Sequence, residues 1–133
     1  MEEMYDYLSP EWAIEVERKL RLEISPEKMN HVTSSMNNIY ENCKDGKRQF
    51  FYVSFKDGSI DEVKTGFGDG PKAEFVINGE YEVFKQISQA TLGAQRALMT
   101  GQLKLKGNMV KALKLASLVD RINKIIATIP ANY

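Results

Sequence analysis

The chain has 133 residues, 43% hydrophobic and 27% charged, with 18 basic and 18 acidic side chains and a formal net charge of zero. That suits one domain spanning residues 1–133, able to bury roughly 65 to 70% of its unfolded surface, and no run approaches the roughly 18 apolar residues of a membrane span. Neutrality and the lack of a nucleic-acid motif count against nucleic acid as a partner, while the acidic start "MEEMYDYLSPEW" does not read as a signal peptide and the single cysteine, Cys43, fits a reducing, cytoplasmic setting.

In chain order, Ser9 and Pro10 supply a cap and first turn for a helix carrying Trp12, Ala13, Val16 and Leu20, and Ser25-Pro26 repeats the signal. Val32, Met36, Ile39, Tyr40 and Cys43 then fall at helical spacing, while Asn37 and Asn38 suit the end of a helix and the start of a strand. The sequence therefore predicts a helix over about 26–36 and a short strand after it. Three Asp-Gly pairs follow at twelve-residue intervals, Asp45-Gly46, Asp57-Gly58 and Asp69-Gly70, with "RQFFYVSF" and "SIDEVKTG" between them, the spacing of an antiparallel meander. The "GFGDG" run from Gly66 is followed by Pro71 rather than by a helix and lysine, so it reads as a turn and not a phosphate loop.

"AEFVIN" makes a further strand, closed by Asn78-Gly79, and "EYEVFKQISQ" puts Tyr81, Phe84 and Ile87 on one helical face. A short helix in "LGAQRALMTG" ends at a glycine suited to a helix C-terminus. Leu103 and Leu105 then alternate with Gln102, Lys104 and Lys106, the period of a half-buried strand. Asn108 can cap a long last helix that Pro130 terminates. The whole is a single α+β layer structure.

Met109, Ala112, Leu113, Ala116, Val119, Ile122, Ile126 and Ile129 form one stripe of that last helix, and Leu115, Leu118 and Ile125 widen it. A helix apolar over more than half its circumference must be covered on two sides. Neighbouring helices, a dimer contact or an internal apolar cavity would each cover it. Charge is uneven as well: residues 91–133 hold seven Lys and Arg against one Asp, so a basic face is expected there.

The run "ALMTGQLKLKGNMVKALKLASLV", with "AEFVINGEYEVFKQI" before it, resembles the sterol carrier protein type-2 domain, the sterol-transfer family. Ala97, Leu98, Gly101, Leu103, Lys104, Gly107, Asn108 and Met109 stand at the positions of that family's motif, and "SPEW" and "IPANY" are similar to stand-alone microbial members. The resemblance implies a five-stranded, largely antiparallel sheet covered by helices, with an apolar tunnel between them, and a non-enzymatic carrier of a fatty acid, fatty acyl-CoA or sterol-like lipid that needs no cofactor. The tunnel would be lined by Phe51, Val53, Phe75, Ile77, Phe84, Ile87, Leu92, Leu98, Met99, Leu103, Leu105, Met109, Leu113 and Ala116. Arg96, Lys104, Lys106, Lys111 and Lys114 would contact head groups or an anionic membrane surface, or be ordinary solvated lysines and arginine. "NCKDGKRQFFYV" departs from the family pattern in making a very short hairpin, so a tunnel mouth at that edge would be reshaped.

Enzymatic readings have little to rest on. His31 lacks metal-ligand spacing to Cys43 or to any carboxylate pair, and suits a surface or packing role. Cys43 suits a small buried side chain. Two alternatives stay beside the carrier, which would be a monomer or weak dimer: an accessory module presenting lipid-linked substrate to a partner enzyme, and an enzyme acting on acyl or steroid substrates.

Overall fold

The computed structural model describes residues 4–133; residues 1–3, the start of the acidic segment, lie outside the described residues. The elements are β1 (Tyr5–Asp6), α1 (Pro10–Glu23), β2 (Ser34–Glu41), β3 (Gln49–Lys56), β4 (Ser59–Phe67), β5 (Phe75–Glu80), α2 (Tyr81–Ser88), α3 (Ala94–Met99), β6 (Leu103–Lys106), α4 (Met109–Ile126) and β7 (Ala131–Asn132). Five strands form one sheet in the order β4-β3-β2-β5-β6, and β1 pairs with β7 in a separate two-stranded ladder. Only β2 and β5 run parallel within the large sheet; its other neighbours are antiparallel.

Local chemistry explains most boundaries. Ser9 accepts a hydrogen bond from Trp12 N with Pro10 in the first turn of α1, and Asn108 Oδ1 accepts one from Lys111 N at 3.0 Å to open α4. Asp57 and Gly58 both have positive φ, 50° and 79°, the conformation that a two-residue hairpin between β3 and β4 requires.

The expected helix over 26–36 is absent. Ser25 caps a single turn, after which Asn30 and His31 enter the left-handed region at φ 51° and 50° and stop any helix. β2 begins at Ser34 and runs straight through Asn37 and Asn38 as the central strand, its ladder to β3 and β5 overriding the local helical period. Asn78-Gly79 is also no turn, because both residues lie inside β5.

One face of the sheet carries α1, α2 and α4. Trp12, Val16 and Leu20 of α1 are fully buried, with Trp12 edge-on to Phe51 at 5.0 Å, and Tyr40 stacks on Phe84 at 4.1 Å. On the opposite face, Asn37 Nδ2 donates to the carbonyls of Asp69 and Pro71, so the glycine-rich connection after β4 lies across the back of the sheet. Arg48 ties that connection down through Asp69 and Glu41.

Candidate functional site

Because side chains alternate along a strand, the helix-facing positions of four strands make one continuous floor. Register places Val53, Met36 and Phe75 in one row, then Phe51, Asn38, Ile77 and Leu105 in the next. Above this floor lies α4, and between them is a cavity of about 80 Å³ reached by Met29 and Val32 at one end and by Leu98 of α3 at the side. A second space of about 40 Å³ adjoins it on the side of Tyr40, Phe84 and Ser88. The two share Met36, Ile77, Ala94, Leu103, Val119 and Ile122 as walls. From Ala112 to Ile126 the helix covers about 21 Å of this space at about 1.5 Å per residue.

Among the described residues, no charged side chain lines either part. Ser34, Ser35 and Gln95 give the outer part a few polar atoms, and Glu74 lies beside it, accepting from Ser34 Oγ at 2.6 Å and paired with Lys111 Nζ. The hydrogen bonds from Lys111 and then Ser34 hold the Glu74 carboxyl below its ordinary value. At the inner end, the Tyr7 hydroxyl bonds Tyr40 at 2.7 Å and Ser88 at 2.6 Å. Burial pushes the Tyr7 and Tyr40 phenols up, so both stay protonated.

Of the residues expected in the tunnel, Phe75, Ile77, Leu98, Leu103, Leu105 and Ala116 line the outer part, and Phe51, Val53, Phe84 and Ile87, with Ile77 and Leu103 again, line the inner part. Four do not line it. Leu92 packs against the core, while Met99, Met109 and Leu113 are 71%, 46% and 37% exposed. The second half of α4 is covered as its width predicts, by the sheet and the neighbouring helices, but its first turn, with Val110 also exposed, is not. The expected lining lacked Met36, Phe55 and Tyr40 on the floor, Met29 at one end, and Leu115 and Val119 on the roof, although the last two belong to the apolar stripe of α4. Recognising β2 as a strand would have aligned Met36, Asn38 and Tyr40 with the inward residues of β3.

The basic residues do not form one group. Lys104 and Lys106 leave β6 on the face opposite Leu103 and Leu105, Lys111 is paired with Glu74, and Arg96 and Lys114 are exposed on α3 and α4. Residues 42–48, the short hairpin, line neither part of the cavity. His31 is exposed, its Nδ1 3.1 Å from Asp57 Oδ1, and Cys43 is buried with its thiol pushed up by burial. Neither touches the cavity.

Comparison with known proteins adds to this geometry. The model of the SCP-2 sterol transfer family matches residues 17–120. A "Fatty acid-binding protein" of Yarrowia lipolytica (strain CLIB 122 / E 150) is 33% identical over 78 residues, covering 57% of this chain and 58% of that one. The Bos taurus "Hydroxysteroid dehydrogenase-like protein 2" is 32% identical over 81 residues, 60% of this chain but 18% of the larger protein. A crystal structure of sterol carrier protein 2 superposes with a TM-score of 0.80 at 20% identity, covering 93% of this chain and 99% of that one.

Proposed function

The chain belongs to the SCP-2 sterol transfer family, and from that premise we propose that it binds an apolar lipid in the cavity beneath α4 and carries it without chemical conversion. Residues 1–133 act as one carrier domain, working in the cytoplasm. The observation that carries the reading is the lining: a floor and roof mainly of Phe, Ile, Leu, Met and Val, with no charged group in either part among the described residues. Such a surface gains by excluding water from methylenes, and about 0.8 kcal/mol for each of sixteen carbons gives about 12 kcal/mol gross. Association costs of roughly 4 to 15 kcal/mol leave micromolar or submicromolar affinity at best.

The space as it stands is well under the roughly 300 to 1,000 Å³ of most ligand sites, so loading requires the walls to yield. Met29 and Met36 are unbranched and adapt to irregular shapes. The six-residue α3, with no side-chain cap, is the lightest part of the wall. The exposed Met99, Met109, Val110 and Leu113, with Arg96 and Lys114 on the same two helices, suit transfer at an anionic membrane surface.

Native mass spectrometry of the purified protein, followed by organic extraction, tests the proposal. A bound lipid, and uptake of a fluorescent fatty acid by the stripped protein, is the expected result. No lipid and no uptake would transfer the reading to an accessory module, with the exposed turn of α4 as its contact. Turnover of an acyl-CoA surviving replacement of both His31 and Cys43 would make the protein an enzyme with a site elsewhere.

A further inference from the structure

The inner end of the cavity is not apolar. Asn38 sits at the centre of the sheet, on the helix-facing side of β2, and is only 8% exposed. Its Nδ2 donates to the Phe51 carbonyl at 3.0 Å, but its Oδ1 accepts no hydrogen bond among the described residues. The fully buried unpartnered side-chain atoms among the described residues are Trp12 Nε1 and Asn37 Oδ1, so Asn38 Oδ1 keeps an open side; holding an amide oxygen there without a partner still costs free energy, and Val or Leu would fill this strand position at no such cost. Asn123, half-buried on α4, lines the same space, and its side-chain amide has no hydrogen-bond partner among the described residues.

Beside them lie the Tyr40 and Ser88 hydroxyls, both joined to Tyr7. Burial is the larger effect on the Tyr40 phenol and pushes it up, while Ser88 also acts on it as a hydrogen-bonding neighbour that lowers it, so the three hydroxyls are in mutual contact. The three hydroxyls thus serve chiefly one another, and the donor left without a partner at this end is the Asn123 side-chain amide. The inner end therefore offers an unused acceptor on Asn38 and an unused donor on Asn123, beside the hydroxyl cluster.

Resting on the carrier reading above, we infer that this inner end is a subsite for a hydroxyl group carried at the buried end of the lipid. An alcohol can donate to Asn38 Oδ1 and accept from Asn123 Nδ2 at once, with the hydroxyl cluster beside it. A ketone could only accept, leaving Asn38 Oδ1 unpaired. A carboxylate would be buried with no cation in either part of the cavity, a large desolvation cost, so any charged head remains at the outer end. The ligand class is an apolar chain or ring system with a neutral hydroxyl remote from whatever polar group stays outside.

Two pairs of probes test this on the stripped full chain: 16-hydroxyhexadecanoic against hexadecanoic acid, and cholesterol against cholestane. The hydroxylated member of at least one pair should bind about tenfold tighter, the effect of one satisfied hydrogen bond of about 1.4 kcal/mol, and the pair that shows it separates a chain end from a ring hydroxyl. Asn38→Leu should abolish the preference, so that the two members of the pair bind equally well within the variant. If Asn38→Leu fails to fold, Asn123→Leu, on a half-buried helical position, should reduce the same preference. Equal affinities within both pairs in the wild type would overturn the subsite and leave the carrier standing, as would equal loss of both ligands in the variants. Binding of none of the four would overturn both readings.

Discussion

Gly79 of β5 and Leu103 of β6 face each other in register so closely that a Cβ on Gly79 would stand 2.5 Å from Leu103 Cδ2 and 3.3 Å from the Phe84 ring. Leu103 thereby lies low over the sheet and leaves the space above it open. Gly79→Ala should push the leucine upward. Because the clash is with the free end of a flexible side chain, the stability loss should stay near about 1 kcal/mol, and fatty-acid affinity should fall as Leu103 enters both parts of the cavity. Thermal unfolding and a fluorescent-ligand titration on the same sample read the two effects. A large drop in midpoint with unchanged affinity would mean that Leu103 cannot swing into the cavity.

Leu98→Trp separates cavity from packed core. Leu98 is half-buried and lines the outer space from α3. A larger side chain there should occupy room that a ligand would take, lowering affinity while the midpoint of the lipid-free protein hardly moves. Overpacking a filled core would instead cost about 1 to 3 kcal/mol. Retained affinity with a lowered midpoint would redraw the site toward the second half of α4.

Vesicle binding should depend on charge and on the uncovered turn of α4 together. Binding to acidic vesicles should weaken steeply between low and physiological salt, since exposed charges are screened over about 8 to 10 Å. Val110→Glu with Leu113→Glu should reduce it further by removing apolar surface from the lipid side. Lys104→Gln with Lys106→Gln should matter less, because these lysines leave the other face of the sheet. Equal binding to neutral and acidic vesicles would argue against a role for the basic residues.

Acid should loosen the strap that Glu74 makes between Ser34 and Lys111. Its carboxyl is held below the ordinary 4.5, so its contribution is present above that value and is lost as pH falls through the lowered one. The thermal midpoint of Glu74→Gln should therefore lie below that of the wild type near about pH 7, and the gap should close toward about pH 3. A gap constant with pH would mean that the carboxylate charge contributes nothing.

How far the sequence could be read depended on the kind of signal. Ser9, Asn108 and Asp57-Gly58 act through bonds within a few residues of themselves, so their caps and turn were legible without any tertiary knowledge. Leu103 and Leu105 were legible because a period of two has one geometric meaning. β2 was not, since Met36, Ile39, Tyr40 and Cys43 satisfy a helical period by coincidence and the strand is imposed by neighbours far along the chain. Met109 and Leu113 show a second limit. A stripe identifies which residues share a face of a helix but not how far the covering layer extends, and here the cover gives out before the first turn.

The ladder between β1 and β7 pairs Tyr5 with Ala131 and Asp6 with Asn132. A strand at residues 5–6 thus finds its partner at residues 131–132, beyond every strand of the large sheet, and the Tyr7 hydroxyl that joins Tyr40 to Ser88 follows directly after it. On the ribosome this closure must wait until residues 131–132 have emerged, after the five strands of the large sheet and α4. The inner end of the cavity is therefore completed after the sheet, and replacing residues 130–133 by glycines should leave a protein whose sheet and helices form but whose Tyr7 is no longer fastened in place.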